Sequence, residues 1–90
     1  MTLTTKQKQH LKAKAHALKP IVTIGNNRLT ESVKKEISRC LEDHELIKIQ
    51  IRGEREERKI LFNEVCAATG AHAVQLIGGI GVAYKKRETE

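Results

Sequence analysis

The stretch from Ile21 to Val33 limits the folds open to this chain more than any other. Ile21-Val22-Thr23-Ile24 is a β-branched run that favours a strand, and Gly25 frees the backbone where the chain must reverse. Beyond Asn26, Asn27 and Arg28, Thr30 is placed to cap a helix, with Glu31 favourably set at the positive end of its dipole. The reading is strand, tight turn, helix, the joint of an α/β protein. A Gly-led loop that delivers N–H groups to a helix start is also a ready anion site. Such joints serve equally well as plain connectors, so the loop alone does not decide a function.

Charge decides more. Residues 1–30 hold six basic side chains, Lys6, Lys8, Lys12, Lys14, Lys19 and Arg28, and no Asp or Glu. The other sixty residues hold eleven basic and eleven acidic side chains, so the whole net charge of +6 sits on the first helix and the first loop. A polyanion-binding face has this distribution. Nucleic acid is the leading partner. An anionic membrane is a poor one, because the first helix offers only two leucines and small residues where a membrane helix presents bulky apolar groups.

Ninety residues suffice for one domain, 1–90, and are too few for two. The chain shows neither a membrane-spanning apolar run nor a signal peptide, which leads us to expect a cytoplasmic protein. Cys40 and Cys66 lack CxxC spacing and fall in helical segments beside apolar residues, as reduced core thiols do.

Taken in order, Thr4 and Gln7 form a capping box that starts a helix near Thr5, with Leu11, Ala15 and Leu18 as its apolar face. Pro20 closes that segment. In the second helix Val33, Ile37, Cys40 and Leu41 mark the buried side, with Lys34, Lys35 and Arg39 opposite and an end near His44. Glu45 to Arg52 alternates, Ile47, Ile49 and Ile51 pointing one way and Lys48, Gln50 and Arg52 the other, as in a half-buried strand. The run Glu54 to Lys59 opens a third helix as a solvated surface, with Leu61, Val65 and Ala68 as the interior face and Gly70 as the left-handed cap. Ala73–Ile77 and Gly81–Tyr84 are strands joined by a Gly78-Gly79 hairpin turn, and the tail from Lys85 is expected to fray. The order is αβαβαββ: a two-layer α/β sandwich on a four-stranded mixed sheet, with the second and third helices on one face and the basic helix at one side.

Little in the sequence suggests catalysis. The four histidines have no metal-ligand spacing, no Ser or Cys sits in a nucleophile motif, and the loop lacks the Gly-Lys-Ser/Thr ending of a nucleotide-binding P-loop. We therefore expect no enzyme, no cofactor, no metal and no small-molecule substrate. Phe62 and Tyr84 are the only aromatics, too few for the base-stacking sheet of an RNA-recognition motif. Phe62 reads as core; Tyr84 is open to packing or stacking. Binding must lean on phosphates, loop backbone and basic side chains, as in a KH-type GxxG loop.

A series of motifs then matches in order: Lys6-Gln7-Lys8-Gln9-His10-Leu11-Lys12, Ala15-His16-x-Leu18-Lys19-Pro20, Ile21-x-x-Ile24-Gly25 and Leu29-Thr30-Glu31-x-Val33. His44-Glu45-Leu46-Ile47-Lys48, Thr69-Gly70-Ala71, Val74-Gln75-x-Ile77-Gly78 and a closing Gly-x-x-x-Val-x-Tyr follow. With these the chain resembles the CRM domain family (chloroplast RNA splicing and ribosome maturation), in its stand-alone bacterial YhbY form, over nearly its full length. The resemblance implies a fold similar to the C-terminal domain of translation initiation factor three. It also implies RNA binding through the Gly-led loop and association with the precursor of the large (50S) ribosomal subunit. The chain departs from the family's GxxG loop at its last position, where Arg28 stands and adds a guanidinium able to grip a phosphate. The expected RNA contacts are Lys6, Lys8, Lys12, Lys14, Lys19, Gly25, Asn26, Asn27, Arg28 and Lys34. An alternative function is a protein-interaction module whose basic helix docks an acidic ribosomal or assembly protein.

Overall fold

The computed structural model describes residues 3–25 and 29–86. Its elements are α1 (Thr5–Ala15), β1 (Pro20–Ile24), α2 (Glu31–His44), β2 (Leu46–Ile51), α3 (Arg55–Thr69), β3 (His72–Ile77) and β4 (Ile80–Tyr84). The αβαβαββ order and four-stranded mixed sheet expected from the sequence are present, with strand order β1-β2-β4-β3. β1 runs parallel to β2, and β4 lies antiparallel to both β2 and β3.

Local chemistry starts each helix where it does. The Thr4 hydroxyl accepts the Gln7 N–H at 3.1 Å while the Gln7 side-chain oxygen accepts the Thr4 N–H at 2.8 Å, which closes the capping box of α1. Two donors left unpaired by the first turn are thereby satisfied. Thr30 caps α2 in the same way, accepting the Val33 N–H at 3.1 Å. α3 ends on Gly70 in the left-handed conformation at φ 75°.

β2 divides the molecule into two cores. Ile47, Ile49 and Ile51 face Ile37 and Leu41 of α2 and Phe62, Val65 and Cys66 of α3, with Val22 and Ile24 of β1 at the edge of the same layer. On the opposite face Leu46, Val74 and Val82 pack against Leu11 and Ala15 of α1, with Leu3 and Tyr84 at the margin. α2, α3 and the sheet thus form a two-layer sandwich, and α1 covers part of the sheet's other face. Removing an isoleucine such as Ile49 from water contributes about 1.5–3 kcal/mol, so the larger core dominates stability.

Phe62 determines how α3 sits. It is buried over Gly81, and a Cβ at Gly81 would lie 2.6 Å from two atoms of the Phe62 ring. The α3 core is accordingly Phe62, Val65, Cys66 and Thr69. Ala68, expected inside, is exposed, because the stripe is centred on the large ring and not on the small alanine. Leu18 lies beyond the end of α1 and is 37% exposed, so it is not part of the helix's buried face.

The hairpin turn also needs glycine. Gly78 and Gly79 have φ of 55° and 91°, the paired positive values of a primed turn, and a Cβ on Gly79 would sit 3.0 Å from the Ile51 carbonyl. Arg58, expected in a solvated run, is half-buried and donates to the Gly53 carbonyl at 2.9 Å, tying α3 to the turn before it. Lys85 does not fray. Its backbone N–H donates to the Glu45 carbonyl at 2.8 Å, and its ammonium donates to the Thr69 carbonyl at 2.8 Å near the end of α3.

The Phe62–Gly81 contact makes a stability prediction. Gly81→Ala should destabilise the domain by about 1–3 kcal/mol in urea denaturation, the usual cost of forcing extra volume into a packed core. Adding Phe62→Leu should recover part of that loss. An unchanged midpoint for Gly81→Ala alone would contradict this packing.

Candidate nucleic-acid interface

The basic helix docks through a narrow contact. Only Leu11 and Ala15 of α1 are buried, so most of its surface is free to hold charge. Lys6 and Lys14 are exposed, Lys8 and Lys12 are half-buried, and Lys19 is exposed on the link to β1. Among the described residues none of these five lysines pairs with a carboxylate. Their charge is therefore available to an anion from outside.

Register places a second part of the surface beside them. Lys48 pairs with Val82, whose side chain packs on the α1 side, so Lys48 and Gln50 two residues on share that face. Thr23, Gln50, Ile80 and Ile77 form one row across all four strands, and none of the four is buried. This uncovered strip leads from α1 to the end of β1. There the Ile24 carbonyl accepts the Arg52 N–H at 3.0 Å, which sets Arg52 beside Gly25.

Gly25 is exposed, and a Cβ built on it meets nothing within 4 Å. Its φ lies outside the left-handed region, so neither backbone geometry nor packing demands glycine at this position. The open space beside Gly25 leaves its backbone accessible to close approach by another molecule. Asn26, Asn27 and Arg28 lie outside the described residues. Lys34 is on α2, on the other face of the sheet from α1, and its ammonium meets Glu31 at 3.3 Å. The structure thus groups Lys6, Lys8, Lys12, Lys14 and Lys19 around α1, puts Gly25 at the far end of the open strip, and sets Lys34 apart from the α1 lysines.

Lys48, Gln50 and Arg52 are candidate contacts that no motif in the sequence marks as such. Their alternation showed an outer face, but only the pairing of β2 with β1 and β4 reveals that this face adjoins α1 and Gly25. Tyr84 packs: it borders the α1 core, and its ring lies against that of His72, with centroids 6.5 Å apart and planes at 26°.

Among the described residues no three His, Cys, Asp or Glu side chains stand together as a metal site would require, and no helix is long and apolar enough to cross a membrane. Burial pushes the Cys66 thiol up to about 11, and burial with nearby Glu36 and Asp43 raises that of half-buried Cys40. Both thiols are held protonated at neutral pH, the opposite of an activated nucleophile.

Residues 3–85 match the profile of the CRS1 / YhbY (CRM) domain. The chain belongs to this family. The CRM domain is 48% identical over 88 residues to a Haemophilus influenzae protein named as an RNA-binding protein, covering 97% of this chain and 89% of the relative. It is 42% identical over 87 residues to a protein of Pseudomonas aeruginosa named as a probable RNA-binding protein, covering 96% of this chain and 84% of the relative. A Staphylococcus aureus protein solved in solution and described as a candidate RNA-binding protein has the same fold. It superposes with a TM-score of 0.83 at 37% identity, over 99% of this CRM domain and 92% of its own chain.

The thiols give a direct check on this packing. A disulfide-exchange reagent at pH 7.5 should label Cys40 first, and Cys66 only as fast as the domain opens. Equal, rapid labelling of both cysteines in the folded protein would contradict the buried placement of Cys66.

Proposed function

We propose that this CRM domain binds RNA, that its target is the RNA of the large-subunit precursor, and that it acts as an assembly factor without a catalytic step. The observation that carries the reading is the lysine cluster of α1, unpaired among the described residues, which adjoins a sheet strip left uncovered. Relatives named for RNA binding support the choice of polyanion. The ribosomal target rests on the family resemblance.

The mechanism is electrostatic and positional. Lysines of α1 neutralise successive phosphates and release their counterions, which gives affinity with little sequence preference. Lys48 and Gln50 extend that surface towards Gly25, where the bare backbone lets a phosphate or ribose approach. We assign Asn26, Asn27 and Arg28 to the same end of the interface, with Arg28 as the charge-assisted contact. Lys34, shared with Glu31, is a weaker contributor in this scheme.

Salt titration of RNA affinity tests the reading. Changing Lys8, Lys12 and Lys14 together to Gln should lower the slope of log affinity against log salt by about 2, since each lost phosphate contact on a single strand removes about 0.7. An unchanged slope and affinity would sink the α1 model. At the other end, Gly25→Asp places a carboxylate against phosphate with no steric penalty, and should weaken binding without lowering thermal stability. Unchanged affinity there would remove Gly25 from the interface. In a cell extract, association with large-subunit precursors should be lost on RNase treatment; survival of that association would favour docking on an acidic protein instead.

A further inference from the structure

Where α1 gives way to β1, the surface holds a groove of about 320 Å³ with an apolar floor of Leu18, Ile21 and Leu46. Lys14, Lys19, Lys48 and His44 also line it, and among the described residues no carboxylate does. Two of the four large apolar side chains most exposed among the described residues, Leu18 at 37% and Ile21 at 45%, lie here. Neither exposure is an accident of a loose terminus. The Leu18 N–H donates to the Ala15 carbonyl at 3.0 Å, which fixes the turn after α1. Ile21 sits at an irregularity in the pairing of β1 with β2, between Pro20 and Val22. Such bulges re-aim a side chain out of its ladder, and this one aims Ile21 into the groove.

We infer that this groove receives one unstacked nucleobase of the bound RNA, its flanking phosphates held by Lys14, Lys19 and Lys48. The inference rests on the RNA-binding reading above. A base presents two apolar faces and is tethered on both sides to anions, which is the pattern of this groove: aliphatic floor, cationic rim. The volume is at the small end of ligand clefts, about 300–1,000 Å³, and suits one base with its ribose. In a chain with two aromatics, aliphatic side chains are the surfaces left for a base to lie on, and apolar side chains serve in this way in other nucleic-acid pockets. The groove also adjoins the α1 lysines, so a strand tracking those charges passes over it.

Binding of two strands of equal length and charge tests this directly: an oligoadenylate, and the same backbone with abasic ribose throughout. Wild-type protein should prefer the base-bearing strand by about tenfold, towards the low end of what one base stacked on an aromatic side chain gains. The double variant Leu18→Ser with Ile21→Ser should lose that preference while keeping its affinity for the abasic strand. Methyl NMR of the wild type supplies a second reading. Leu18 and Ile21 methyl signals should shift with adenosine monophosphate and stay in place with ribose 5-phosphate. Equal affinity of the wild type for both strands overturns the inference and leaves the RNA reading intact, as does a preference that survives in the double variant. Shifts produced by a Glu-rich peptide carrying one leucine, and not by the nucleotide, assign the groove to a protein partner and overturn it too. Failure of the wild type to bind either strand overturns the RNA reading and this inference together.

Discussion

The alternation of β2 is the constraint on which the rest of the structure depends. Ile47, Ile49 and Ile51 must leave water together, and the only way to do so is to cover one face of the sheet with α2 and α3. Once that face is closed, Lys48 and Gln50 are turned to the other one. That second face cannot be fully covered without burying a charge, and a single helix across the Leu46 end is the cover it receives. The asymmetry of the domain, a stable layer behind and a partly bare face of mixed polarity in front, follows from one strand of period two.

The basic helix fits the face it covers because it asks for little. Two buried side chains, Leu11 and Ala15, dock it, and the capping box holds its first turn without help from neighbours. The positions that remain can carry cations at small cost to the core. Five lysines close together on and just after one helix repel one another, and no carboxylate among the described residues relieves them. A chain optimised for stability alone would place Glu near them, as it does at Glu31 beside Lys34. The unrelieved charge makes sense as the surface on which a polyanion settles.

Element types and order were legible because local signals agreed: β-branched runs for strands, Thr4 and Thr30 at helix starts, Gly70 and the Gly78-Gly79 pair at reversals. What stayed hidden was tertiary. Periodicity cannot say which of two neighbouring stripes on α3 faces the sheet; the clash-free fit of Phe62 over Gly81 decides it, and Ala68 is left outside. Nor can charge counting find Lys48 or Arg52, since their neighbours come from strand pairing. At Gly25 the sequence suggests a backbone reversal, whereas the structure shows a φ outside the left-handed region and open space where a side chain would stand. The lysines of α1 are the readable part of the candidate site, because an acid-free segment is visible in one dimension.

In the proposed mode RNA lies across the α1 face of the sheet and not across the layer of α2 and α3. Chemical-shift mapping of the isotope-labelled domain, titrated with a single-stranded RNA at low salt, tests it most directly. Shifts are expected in α1, at Lys48 and Gln50, and at Thr23 to Gly25, with the solvent sides of α2 and α3 unmoved beyond their first turns. Shifts concentrated on the outer faces of α2 and α3, with α1 and Lys48 unmoved, would contradict it.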